Sequence, residues 1–330
     1  MSLPRIRPLF FICLIYLSVL FLTGCTSQPE VEPATVSIRL KWLHQAQFAG
    51  IYVAEREGYY ADANLTVTID TVDFEQQLAH EKILAGENIF GIGTPDELIL
   101  ARSQGHLVRA VAVIYRLNPL VYTSSGEKNI TTPQDLVGKV VALAPGQGEW
   151  LYAAMMGRLG IDRSQIQEIQ ADTFDIYECW AKADVCVDYA INGPVRVRQD
   201  GGEVNIIWPS DYGINFYADV IFTTDDFIEE NPDVVARFVQ ATLNGWGKAI
   251  EDPDLGIQHV LSFDPNLDET AQLAALNASI PLIDTGYATI GFMEPEIWQQ
   301  MMDVMVEQGL LDTAFDVTTV YTNEFVGESE

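Results

Sequence analysis

Apolar positions along this chain switch repeatedly between a period of two and a period of about 3.6 residues. Residues 36–40 alternate and are rich in β-branched side chains, which reads as a first strand. Residues 47–56 carry apolar side chains at helical spacing and stop at Gly58-Tyr59-Tyr60. Residues 65–69 alternate again, 76–85 form a helix closing at Gly86, and 89–92 are a short buried strand. Thr94-Pro95-Asp96-Glu97 then opens a helix: Thr94 can cap it, proline suits the first helical position, and Glu97 completes a capping box. That helix ends at Gly105, and residues 108–113 are the next strand. Extended segments follow at 119–124, 140–143, 166–169, 185–190 and 206–208. Between them lie a short helix opened by Thr131-Thr132-Pro133, a helix over 149–159, a helix carrying Tyr177 and Trp180, and one started by Asn192-Gly193-Pro194. Residues 216–223 read as a strand returning to the first set, Asn231-Pro232 starts a long helix over 233–250, and further helices run to Leu311. This rhythm predicts an α/β protein whose mostly parallel sheets are covered by helices. The chain crosses between its halves twice, near 119–124 and 215–222. The expected architecture is therefore two lobes, 36–118 with 223–330 and 119–222, joined by two hinge strands around a ligand cleft.

The amino terminus has a different character. Arg5 and Arg7 are the only charges before an apolar run over 9–22, broken only by Ser18. A positive stretch followed by an apolar one is the pattern of a secretory signal, and the run is shorter than the ~20 residues a membrane-spanning helix needs. It ends in Leu22-Thr23-Gly24-Cys25, which resembles the lipobox of bacterial lipoproteins. The resemblance implies removal of residues 1–24 and acylation of Cys25; the alternative is an ordinary signal peptide cut elsewhere, with Cys25 incidental. Residues 25–35 are polar, contain two prolines and read as a tether. Acyl chains on Cys25 would hold the protein on the extracytoplasmic face of the cell membrane.

Charge narrows the partners. Eighteen Lys and Arg face 47 Asp and Glu, a net −29, and a field of that sign repels phosphate backbones. Nucleic acid is thus not an expected partner. Of the four cysteines, Cys13 lies in the leader and Cys25 in the lipobox, which leaves Cys179 and Cys186 as a disulfide or as two buried thiols. The four histidines are dispersed, so neither a zinc site nor a nucleophile–base arrangement is expected. No cofactor and no enzymatic activity are expected, and the protein is expected to be a monomer.

The run Lys41-Trp42-Leu43-His44-Gln45-Ala46-Gln47-Phe48-Ala49-Gly50-Ile51-Tyr52-Val53-Ala54, followed by Glu57-Gly58-Tyr59-Tyr60, resembles a family of solute-binding proteins. That family serves ABC importers and includes binders of the thiamine pyrimidine precursor, alkylsulfonates and riboflavin; it is related to the eukaryotic thiamine-pyrimidine synthases. Phe90-Gly91-Ile92-Gly93, Asp135-Leu136-Val137-Gly138-Lys139, Glu230-Asn231-Pro232-Asp233 and Gly245-Trp246 are similar to it as well. The resemblance implies a two-lobed periplasmic-binding fold of the second type, and an ABC permease and ATPase as partners. Two departures speak against the synthase reading. Phe48 stands where the synthases carry a histidine, and Cys179 with Cys186 is a poor substitute for their cysteine-rich iron motif. The pyrimidine binders tend to have Gly-Glu-Phe-Gly-Lys where this chain has Gly146-Gln147-Gly148-Glu149-Trp150, which puts a simple pyrimidine ligand in question.

Ligands of open α/β lobes sit beyond the carboxyl ends of strands. On that rule the candidate ligand-binding residues are Trp42 with Gln45 and Gln47, Asp96, the Gly146, Glu149 and Trp150 turn, and Asn192. Tyr115 and Asn118 precede the first crossing, and Tyr212 precedes the second. An indole face suits a flat ring, and amides suit its heteroatoms. The glycine turn can equally be a tight strand-to-helix connection, and Thr94 to Glu97 can be helix capping alone. The aromatic count and the altered glycine turn favour a planar heterocyclic vitamin, riboflavin first. A formylaminopyrimidine or hydroxymethylpyrimidine is the alternative, and a synthase-like enzyme a more distant one.

Overall fold

The computed structural model describes Met1 and residues 31–72 and 79–327. The signal segment, the lipidation of Cys25 and the start of the 76–85 helix lie outside the described residues. Residues Ala34–Glu330 form one compact unit, separate from Met1–Pro33.

Among the described residues, ten strands make two sheets. The first four are β1 (Ala34–Arg39), β2 (Leu65–Asp70), β3 (Phe90–Gly93) and β4 (Val108–Val113). Next come β5 (Leu120–Ser125), β6 (Val140–Leu143), β7 (Gln167–Gln170), β8 (Val185–Tyr189) and β9 (Val204–Ile207), and finally β10 (Val220–Thr224). The first sheet has the order β2-β1-β3-β10-β4 and the second β7-β6-β8-β5-β9. The two share one plan. Each has a single strand running against the rest, β10 and β5 respectively, and each is the strand on which the chain arrives from the other lobe. The sheets are mostly parallel, as expected from the sequence, and each carries one antiparallel strand. A strand that enters by a hinge rather than by a helical crossover is free to run antiparallel.

Residue pattern explains the local elements. β1 buries Val36, Ile38 and the following Leu40, one face of an alternating strand. It starts at Ala34, so the last residues assigned to the tether are already paired, with Ala34 opposite Leu65. The returning strand starts at Val220, four residues later than expected, because residues 216–219 are occupied in hinge contacts. There Ile114 N–H and Tyr115 N–H donate to the Asp219 carbonyl, and Ala218 N–H donates to that of Tyr115, at 2.8, 3.3 and 3.0 Å. Arg116, also buried, locks the hinge by pairing with Glu294 and donating to the Phe292 carbonyl at 2.6 Å.

The helix Ala49–Arg56 lies against the long helix Pro232–Glu251 on the first sheet. Their backbones approach so closely that a Cβ on Gly245 would fall 2.1 Å from the Gly50 carbonyl oxygen, and one on Gly50 would fall 2.2 Å from Trp246. The helix Pro295–Glu307 buries Trp298, Met301, Met302 and Met305 in a core that contains residues of both sheets, and Tyr321 then bridges to Ala110 of β4.

Candidate functional site

A cavity of about 300 Å³ opens between the two sheets, lined by residues that follow β1, β6 and β7 and that end β8. These are the carboxyl ends of parallel strands, the place such folds reserve for ligands. From the first lobe come Lys41, Trp42, Gln45 and Gln47. Leu120, Ala144, Ile176 and Val187 supply an apolar wall from the second lobe, and Asp188, Tyr189 and Asn192 its polar end.

Lys41 follows β1 after Leu40. Its Nζ lies 2.7 Å from Asp219 Oδ1 and donates to the Tyr189 phenol at 3.0 Å, so it ties the first lobe to the end of β8. Burial draws the ammonium pKa down, but the Asp219 carboxylate, with Tyr189 behind it, outweighs burial and holds it above the ordinary lysine value. Lys41 is therefore a cation whose charge is already answered. Gln45 Nε2 donates to Gln47 Oε1 at 2.6 Å, and Gln47 Nε2 donates to Asp219 Oδ2 at 2.7 Å. Burial keeps the Tyr189 phenol above its usual pKa, so its own O–H remains a donor beside the cavity.

Trp42 meets Phe174 edge-on across the mouth, with centroids 5.0 Å apart. Phe174 is 81% exposed, high for a phenyl ring, and sits in the loop before the helix Ile176–Trp180. The same helix is fastened to β8 by a disulfide between Cys179 and Cys186, Cα atoms 6.2 Å apart, and both cysteines border the cavity. Of the two readings left open by the sequence, the bridged one is found.

Asp188 is the second carboxyl of the site. Its Oδ1 accepts the N–H of Tyr189 at 2.6 Å and that of Gly193 at 3.3 Å. Burial pushes its pKa up to about 7, against the pull of those two bonds and with help from nearby Asp175. Gly193 is required here: a Cβ would stand 1.8 Å from Asp188 Oδ2.

Four of the residues predicted from sequence, Trp42, Gln45, Gln47 and Asn192, line the cavity together. The others do not, each for a visible reason. Tyr115 is wholly buried, donates to Ser279 Oγ at 2.9 Å and packs on Trp246, so it belongs to the core of the first lobe. Asn118 is consumed by the hinge, where it bonds Gln147, the Tyr217 carbonyl and Leu120 N–H. Tyr212 ends a 3-10 turn and packs on the core shared by the two sheets. Gly146 has φ 82° and starts the helix Gln147–Leu159, from which Glu149 points to solvent and Trp150 stays clear of the cavity wall. Asp96 is 2% exposed and accepts Gln147 Nε2 at 2.7 Å, a bond that joins the lobes beside the cavity rather than within it. Burial, then Glu97, pushes the Asp96 pKa up to about 6. His44 bonds Tyr52 at 2.8 Å away from the cavity. Sequence reasoning missed Lys41, Phe174, Asp188 and Tyr189. A lysine directly after a first strand and an aspartate inside the apolar run Val185–Tyr189 were the available signals.

Two α/β lobes joined by a double hinge around a lined cleft are the architecture of periplasmic binding proteins. The structure superposes on the periplasmic aliphatic sulphonate binding protein SsuA from Escherichia coli with a TM-score of 0.72, at 15% identity, over 90% of this chain and 100% of that one. The chain belongs to the NMT1/THI5-like family, whose model matches residues 45–255. It is 27% identical to the riboflavin-binding protein RibY of Chloroflexus aurantiacus, over 94% of this chain and 95% of that protein. To the formylaminopyrimidine-binding protein of Halalkalibacterium halodurans it is 26% identical, over 89% and 92% of the two chains. The family and the two-lobed fold expected from the run beginning at Lys41 are both found.

Proposed function

We propose that this protein is the extracytoplasmic substrate-binding lipoprotein of an ABC importer, anchored through Cys25, and that its cavity takes a flat, uncharged nitrogen heterocycle, riboflavin first. The permease and ATPase of that importer are its partners. The observation that carries the reading is the composition of the cavity. An indole stands at its mouth, its walls are apolar, and its polar end holds a carboxyl and an amide. Lys41, the one cation among the described lining residues, is already neutralised by Asp219. A sulfonate would have to approach the Asp188 carboxyl without a free arginine or lysine to meet it, which such anions normally require. Similarity to a riboflavin binder over nearly the whole chain supports the same ligand.

A volume of about 300 Å³ lies at the lower end for small-molecule sites, and this favours a single-ring formylaminopyrimidine as the second reading. An enzyme of the synthase type is disfavoured. Cys179 and Cys186 are bonded to each other and offer no thiolate to iron, and Phe48 is buried in the core of the first lobe.

Titration of the purified protein with riboflavin, followed by quenching of flavin and tryptophan fluorescence, tests the proposal. Saturable quenching at micromolar flavin, resistant to competition by alkanesulfonates, is expected. Binding of a formylaminopyrimidine with no response to riboflavin would move the assignment to the second reading.

A further inference from the structure

The polar end of the cavity contains two groups that the protein itself leaves unanswered. Asp188 Oδ1 is held by two backbone N–H groups, but Oδ2 has no hydrogen-bond partner among the described residues. Asn192 follows one turn later. Its backbone N–H bonds the Tyr189 carbonyl at 2.9 Å, while its side-chain amide has no partner among the described residues. Both residues border the cavity, and both sit where β8 passes into the helix Gly193–Gln199. Both residues are partly buried, and both side chains keep hydrogen-bonding capacity that faces the same space, so one ligand can satisfy the two together. Gly193 keeps the place open, since any side chain there would displace the carboxyl.

We propose that Asp188 and Asn192 together read one edge of the ligand ring, a ring or exocyclic N–H lying beside a carbonyl or ring-nitrogen acceptor. Asp188 Oδ2 accepts the N–H and the Asn192 amide donates to the neighbouring acceptor, so the pair selects lactam, imide and amino-azine heterocycles and rejects rings alkylated at that nitrogen. The inference rests on the heterocycle reading of the cavity and narrows it to a specified edge. In riboflavin the matching edge is the imide N3–H between its two carbonyls. Tyr189 accepts from Lys41 and keeps its O–H as a further donor beside this pair, while the charged groups and Gln47 are committed elsewhere. Lys41 and Gln47 are bound to Asp219, and Asp175 caps the helix Ile176–Trp180 and pairs with Arg196.

A four-cornered binding cycle tests this. Riboflavin and 3-methylriboflavin are titrated into the wild-type protein and into Asp188→Asn, with circular dichroism confirming the fold of the variant. Asparagine keeps the Oδ1 that receives the Tyr189 and Gly193 N–H groups, so the local turn survives. The methyl group should weaken wild-type binding at least about tenfold, and Asp188→Asn should weaken riboflavin by a similar factor, because each removes the same hydrogen bond. The variant should then bind both flavins within about twofold of each other, the non-additivity expected of directly interacting partners. Equal affinity of the wild type for the two flavins would overturn the inference, as would a penalty from Asp188→Asn that is the same for both. If the wild type binds no flavin, the riboflavin assignment fails by itself. A formylaminopyrimidine then takes flavin's place, and at least tenfold weaker binding to Asp188→Asn supports the edge-reading role. Unchanged binding, or no binding to the wild type, refutes it.

Discussion

Replacing Asp188 by asparagine should make the unliganded protein more stable, and chiefly at high pH. Burial pushes the carboxyl from an ordinary 3.8 up to about 7, so the folded protein retains a proton that the unfolded chain has already released. With the folded value raised, wild-type stability falls as pH rises from about 4 and levels off above about 7. At about 1.36 kcal/mol for each pH unit between those two values, the penalty carried at pH 8 is about 4 kcal/mol. Asparagine cannot ionise, yet it offers the same oxygen to Tyr189 and Gly193. The variant should lie within about 1 kcal/mol of the wild type at pH 4.5 and exceed it by about 4 kcal/mol at pH 8, roughly 8 °C in Tm for a chain of this size.

The charged neighbours do not reverse the sign. Asp175 adds to the upward push and is itself paired with Arg196, while Lys41 is held by Asp219. Asp96 sits at about 6 and titrates in the same range, but it is present in both proteins and drops out of their difference. Thermal unfolding of the two proteins by calorimetry at pH 4.5 and pH 8 checks the argument. A stability difference that is the same at both pH values, or a variant less stable at pH 8, refutes it. Stability gained where affinity is lost is the behaviour expected of a group retained for binding.

Three further outcomes follow from the same geometry. Lys41→Met should lower stability by about 3–5 kcal/mol in denaturant titration, because it leaves the Asp219 carboxylate buried without its cation. Removing the bridge with Cys179→Ala and Cys186→Ala together should cost about 2–3 kcal/mol in the same assay. It should also weaken ligand binding, since the helix Ile176–Trp180 loses its fastening to β8. Phe174→Ala should leave the melting temperature nearly unchanged, as expected for an exposed ring, while stopped-flow fluorescence shows faster ligand release once the edge-on contact with Trp42 is gone.

What the sequence discloses about this protein follows the range of the forces involved. β4 and β6 begin and end at the predicted residues because their boundaries are set locally, by apolar alternation between turn residues. The helix after Thr94 starts at Pro95, and Glu97 accepts the Thr94 N–H at 3.3 Å, another interaction complete within four residues. Strand direction is not local. Nothing in residues 220–224 records that they will run against β3 and β4; that depends on a hinge whose other strand lies far upstream in the chain.

Residue roles divide along the same line. The placement of Trp42 and Asn192 at the cavity was legible because each lies three residues past the carboxyl end of a strand, where such folds hold their clefts. Tyr115 obeyed a similar positional rule and failed it, because a phenol can satisfy its hydroxyl inside a core, and Ser279 provides the means, 164 residues away. Asp188 shows the opposite error. Within the apolar strand Val185–Tyr189 alternation assigns this carboxylate only a face, and its local bonds to Tyr189 and Gly193 N–H occupy Oδ1 and leave Oδ2 unexplained. The informative quantity is the conflict itself. An ionisable group partly buried at the carboxyl end of a strand, followed within one turn by an amide, costs the empty fold stability, and the proposed hydrogen-bonding ligand gives it a reason. By the same argument, sites in related two-lobed folds are better sought at residues that burden the unliganded structure than at aromatic residues, most of which here serve the core.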